Sequence, residues 1–201
     1  MPSFAQAPYA CITKDAELVW ANYDDQGKIA DYTRNTIRDI SQYGESYEVT
    51  IFSEKLDNPK QKSGEDGSLR KMNIKDGMVD VEVFGTEGAS VAILNNSGIG
   101  IPNKLAVGYK LPIGDMAISM GGMQCVCNIT DNDVIRREEV KTEAGTFKCY
   151  VVRQVSVISL LGAGLVATTT TWYSRGVGIV KSETLVGNEI AGSCQLISFN
   201  K

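Results

Sequence analysis

Thr168-Thr169-Thr170-Thr171-Trp172-Tyr173-Ser174-Arg175-Gly176-Val177-Gly178-Ile179-Val180-Lys181-Ser182-Glu183 is the stretch whose reading decides the fold. Threonine, valine, isoleucine and the aromatics suit a pleated, half-buried surface, where they meet cross-strand neighbours. Gly176 and Gly178 stand where a tight reversal needs a positive φ or a bulge. The stretch reads as two antiparallel strands joined by a glycine turn.

The same pattern extends in both directions. Strands are expected over 16–23 and 29–40, with a turn at Asp24-Asp25-Gln26-Gly27-Lys28 between them. Over 47–54 the alternation puts Tyr47, Val49 and Ile51 on one face and Glu48, Thr50 and Glu54 on the other, with Phe52 the exception. Asp76-Gly77 between 68–75 and 78–84 is the strongest two-residue hairpin signal in the chain. Further strands are expected at 89–94, 115–119, 123–130, 134–142, 147–158 and 193–199. Asp131-Asn132-Asp133 reads as a turn, since Asp and Asn bond their own backbone and the calcium-loop glycine and glutamate are missing. The polar segment 56–67 reads as a mobile loop without an assigned role. A short helix could occupy 4–16 or 85–94. About a dozen strands at a spacing of about 8–15 residues define an all-β chain with at most minor helix. We expect one domain over 1–201, a strongly curved antiparallel meander forming a half-open or closed barrel.

Composition narrows the function. The chain has 201 residues, 43% of them hydrophobic, enough for a sizeable core. A net charge of −4 with scattered lysines and arginines lacks the basic footprint of nucleic-acid binding. No apolar run reaches the roughly 18 residues of a membrane span, and residues 1–4 lack the features of a signal peptide. Histidine is absent, which removes Ser-His and Cys-His nucleophile pairs and nearly all zinc enzymes. The cysteines Cys11, Cys125, Cys127, Cys149 and Cys194 form no C-x-x-C pair and read first as small buried hydrophobes, with disulfides the competitor in an exported protein.

No catalytic set, cofactor motif or metal-ligand set emerges. The candidates for ligand contact are Trp172, Tyr173, Arg153, Met116, Met120 and Met123. Trp172 and Tyr173 could stack on a ligand, although adjacent aromatics more often divide between core and rim. Arg153 shares a strand face with Cys149, Val151 and Val155, where a cation is costly unless paired, so it marks a pocket, an edge or a barrel mouth. The three methionines crowd one region, as in adaptable apolar sites and in ordinary cores.

Three ordered motifs carry a family resemblance: Leu105-Ala106-Val107-Gly108, Thr142-Glu143-Ala144-Gly145-Thr146-Phe147-Lys148-Cys149-Tyr150, and the stretch from Trp172 to Glu183. With Asn22-Tyr23-Asp24-Asp25-Gln26-Gly27-Lys28, they resemble the TapB-like group of small exported bacterial proteins over most of 17–199. The resemblance implies antiparallel sheet and a periplasmic, cell-envelope or secreted location, and brings no catalytic residue. The expected function is non-enzymatic binding of an apolar or amphipathic ligand, such as a lipid, on the concave face. The alternatives are a structural or protein-interaction module with a self-filled core and, behind both, a carboxylate-based hydrolase. Nucleic-acid partners and a membrane-spanning role are not expected.

Overall fold

The computed structural model describes residues 7–62, 64, 67–80, 91–96, 100–120, 123–160 and 163–201, with the backbone path alone at 80, 91–96, 116–120, 123–125, 160 and 163. Among the described residues thirteen strands follow in chain order: β1 (Glu17–Tyr23), β2 (Ile29–Tyr43), β3 (Ser46–Leu56), β4 (Gly67–Lys75), β5 (Met78–Asp80), β6 (Val91–Asn96), β7 (Gly100–Pro102), β8 (Gly114–Met120), β9 (Met123–Thr142), β10 (Gly145–Leu160), β11 (Ala163–Ser174), β12 (Gly178–Val186) and β13 (Glu189–Asn200). They form one sheet in the order β6-β8-β9-β10-β11-β12-β13-β1-β2-β3-β4-β5-β7, each neighbouring pair antiparallel. Two meanders, β1–β5 and β8–β13, meet where the last strand pairs with the first. The end strands β6 and β7 do not pair among the described residues, so the sheet is curved and half-open.

The deciding stretch forms β11, a turn and β12. Gly176 has φ +69° and Gly178 φ +102°, values that a side chain would strain. At the other predicted hairpin both central residues are left-handed, Asp76 at +52° and Gly77 at +72°, as a type I′ turn requires.

Two expectations fail. Asp131-Asn132-Asp133 is not a turn, because β9 runs unbroken through it. β10 pairs along almost the whole of β9, and bulges absorb the irregularity at Ile135 and Thr130. The side chains take ladder-neighbour partners instead of their own backbone. Arg153 is not at an edge, since β10 lies between β9 and β11. Of the two places suggested for a helix, 7–16 is non-helical and 91–94 is strand, while 4–6 and 85–90 lie outside the described residues, as does 81–84 of the predicted 78–84 strand.

Both faces of the sheet are buried in part. In β1 the adjacent Leu18 and Val19 are both buried, as are Val151 and Val152 in β10 and all of 171–174 in β11. Alternation and register sort the side chains into two faces. The first, here the Leu18 face, carries Leu18, Ile37, Ile51, Val49, Met72 and Ile74 across β1–β4. Tyr9, Cys11, Leu105 and Leu111, from the segments before β1 and before β8, join the same core. The second, the Trp172 face, carries Trp172, Val151 and Cys149 on β11 and β10, and Arg34 and Glu54 on β2 and β3.

The polar segment after β3 is tied down. Arg34 Nε meets Glu54 Oε2 at 3.0 Å, and both side chains are almost wholly buried. Arg34 Nη1 donates to the carbonyl of Gln61 at 2.8 Å, and the Gly64 amide donates to Glu54 Oε1 at 2.8 Å. Where the sequence suggests mobility, a buried ion pair fixes the chain to the sheet.

Candidate functional site

Successive residues of a strand point to opposite faces, so Trp172 and Tyr173 cannot share one pocket. Tyr173 lies on the Leu18 face, and burial pushes its hydroxyl well above the ordinary tyrosine value. Trp172 lies on the other face, also buried. Its Nε1 donates to Glu138, and Lys181 Nζ and Arg136 Cζ stand 4.7 and 5.7 Å from its ring centre. Arg153 shares that face, two residues from Trp172's partner Val151. It reaches Asp131 at 3.2 Å and Asp133 at 3.8 Å, and Lys110 bridges the same two carboxylates at 3.2 and 2.6 Å. The side chains of Met116, Met120 and Met123 lie outside the described residues; the backbone register pairs Met116 with Cys127 and Met120 with Met123.

Around Trp172 and Arg153 this face carries paired charges. Lys110 holds the Asp131 carboxyl below the ordinary aspartate value, the wrong direction for a general acid. Glu138 behaves likewise: Arg136 first, then the Trp172 indole, lowers its carboxyl. A carboxyl depressed in the folded state contributes stability above the unfolded value of about 4.3 and loses it as pH falls through the lower folded value. Glu138 is a third exposed, so the contribution is small. In a Trp20→Phe background, the fluorescence of Trp172 is expected to change in an acid titration with a midpoint below that of a free glutamate. Glu138→Gln should abolish the step; a step that survives it would assign the signal elsewhere.

The Leu18 face of β9–β13 has a different chemistry, and it was missed in the sequence. One cross-strand row reads Asn22, Cys194, Ser182, Thr171, Val152, Val134. The next reads Gly192, Thr184, Thr169, Gln154, Asn132. Hydroxyls pair across strands, Thr169 with Thr184 at 3.0 Å and Thr171 with Ser182 at 3.2 Å. Asn132 is buried; its Nδ2 donates to the Pro112 carbonyl at 2.9 Å, while its Oδ1 has no hydrogen-bond partner among the described residues. Beyond these rows the face turns apolar. Val186, Ala167, Ser156 and Ile129 form one row, and Leu165, Ile158 and Cys127 the next. Leu165 is 44% exposed and Val186 36%. The threonine run was the available signal: alternate threonines fall on this face. Their partners come from β10, β12 and β9, and no local pattern announces that register.

The four described cysteines, Cys11, Cys127, Cys149 and Cys194, are free thiols, three of them buried. Burial pushes Cys149 up to about 12 and Cys194 up to about 11, which makes both poor nucleophiles. An open hollow of about 390 Å³ beside the β12–β13 turn is lined by Asp24, Asp25, Val186, Glu189, Ile190 and Ala191. Among the described residues no cluster of three metal-ligating side chains occurs.

The curved, half-open antiparallel sheet with a two-sided core defines an all-β class of protein, and solved structures of that class superpose on it. The fold is similar to that of a protein from Bacteroides fragilis, proposed to be exported and described as having a YmcC-like fold, with TM-score 0.76, 19% identity and coverage of 97% of this chain and 100% of that one. It is also similar to a proposed lipoprotein of Parabacteroides distasonis, with TM-score 0.75, 18% identity and coverage of 97% and 99%. The DUF3108-like family model matches residues 14–196, and the chain belongs to the DUF3108-like family. No protein with a curated functional description matches it.

Proposed function

We propose that the chain is an exported, non-enzymatic protein of the cell envelope or periplasm that binds an amphipathic ligand along the Leu18 face of β9–β13. The observation that carries this reading is the gradation of that face. Hydroxyl and amide rows give way within two rows to apolar ones, and Leu165 and Val186 at the apolar end are exposed. A ligand with a polar head and an apolar tail matches that order. Export is supported by the descriptions of the two structural neighbours and by the resemblance to the TapB-like group, whose kinship with this chain is part of the proposal. A wholly apolar ligand fits less well, because the hydroxyl rows would be desolvated against it.

Native mass spectrometry of the protein purified without detergent from its own cell envelope is expected to show a bound lipid-sized mass. Leu165→Glu should weaken binding of a hydrophobic dye about tenfold without loss of stability, since the side chain is half exposed. Delipidated protein that binds no hydrophobic probe would overturn the reading.

A second reading, an interaction module, is favoured by a different observation. The Trp172 face exposes Val126 (51%), Val166 (51%) and Ile190 (45%), beyond its charged cluster. Retention of dye binding in a variant with these three changed to serine would favour the ligand reading over this one.

A further inference from the structure

We infer that the head group recognised by the hydroxyl rows of the Leu18 face is uncharged and rich in hydroxyls, as in a sugar-headed amphiphile. This rests on the ligand-binding reading above and goes further by specifying the polar end of the ligand.

Three observations point to it. First, the hydroxyl rows themselves are uncharged. On the Trp172 face Lys110 and Arg153 pair with Asp131 and Asp133, and Arg136 pairs with Glu138 beside Trp172. The two rows from Asn22 to Val134 and from Gly192 to Asn132 contain no charged side chain. At the borders of the rows, Asp31 is engaged by Lys55 at 2.8 Å and by Asn22 Nδ2 at 2.6 Å, and Arg137, opposite Tyr150 on the adjoining row of the same face, stands over the Tyr150 ring at 5.5 Å. Within the rows an anionic or cationic head would find no counter-charge and would lose its hydration.

Second, the rows offer the mixed donor and acceptor inventory that neutral hydroxyls need. Thr169, Thr184 and Ser182 are half-buried hydroxyls, each able to donate and accept. Gln154, half-buried and directly opposite Asn132, has no side-chain hydrogen bond among the described residues. Third, Asn132 is 3% exposed and its Oδ1 has no hydrogen-bond partner among the described residues. A buried acceptor of this kind is costly unless a donor completes it, and a ligand hydroxyl supplies one.

The experiment uses three probes with the same dodecyl tail, each below its micelle concentration: dodecyl maltoside, dodecyl sulfate and dodecyltrimethylammonium. Isothermal titration of the full chain is expected to show the maltoside binding at least about tenfold more tightly than either charged probe. Thr169→Val with Thr184→Val keeps the branched shape and strand preference, and should remove that preference. Thr169→Ser with Thr184→Ser retains the hydroxyls and should keep it. Circular dichroism of both double variants checks that the sheet is intact. Equal binding of all three probes, or tighter binding of a charged one, would overturn the head-group assignment while leaving amphiphile binding in place. A maltoside preference unchanged by the valine pair would overturn its location. Failure of every probe to bind would remove the parent reading and this inference with it.

Discussion

Glu54→Ala is expected to lower the unfolding free energy by about 3–5 kcal/mol, the cost of leaving one member of a buried ion pair alone. The Arg34 side chain is 8% exposed and that of Glu54 3%, so solvent cannot take over from the lost carboxylate. The substitution also removes the acceptor of the Gly64 amide, and it loosens the guanidinium that holds the Gln61 carbonyl. Two readouts should therefore move together. Urea unfolding gives the stability loss, and tryptic cleavage at Lys60 and Lys62 reports release of the segment after β3. Arg34→Met combined with Glu54→Leu should recover much of the stability, because neither charge then stays buried, yet the segment should remain open to trypsin. A single-variant loss below about 1 kcal/mol would mean that water reaches the pair as it reaches a surface bridge.

That ion pair also shows where sequence reading reaches its limit. Lys60, Lys62, Gly64 and Pro59 look like a solvated loop, and nothing local says that two opposite charges facing each other across one ladder rung sit beneath them. Arg34 and Glu54 are 20 residues apart and meet only once β2 and β3 are in register. Features set by neighbouring residues were legible. The Asp76-Gly77 turn, the Gly176 reversal and the period-two alternation of β3 each follow from local sterics, and each is present. Features set by tertiary pairing were not. Asp131-Asn132-Asp133 has turn composition, but the long β10 partner and the cations Lys110 and Arg153 hold it extended. The separation of Trp172 from Tyr173 was legible in principle from alternation alone. The hydroxyl rows were half legible: the threonines were in view, their amide partners Gln154 and Asn132 were not.

Tyr9→Ala should be the other severe substitution, costing about 3–5 kcal/mol as a large aromatic removed from a core. Tyr9 lies outside every strand, so the loss cannot come from a broken ladder and tests packing alone. Its ring is 1% exposed and meets Tyr150 edge-on, with centroids 6.1 Å apart and planes at 89°. The Arg175 Cζ lies 4.4 Å from the ring centre, while Nη1 donates to the Ala7 carbonyl at 2.7 Å and Nη2 to the Asn103 carbonyl at 2.5 Å. The glycine turn that decides the fold thus also carries the side chain that gathers the chain before β1 and the chain after β7. Tyr9→Phe keeps the ring and should stay within about 1 kcal/mol of the parent, since the favourable terms are area and ring contacts. Arg175→Ala should be destabilising too, and the Tyr9–Arg175 double-mutant cycle should give a coupling of about 0.5–2 kcal/mol. If Tyr9→Ala unfolded at the parent's urea midpoint, the segment 7–16 would be an appendage on the sheet rather than part of its core.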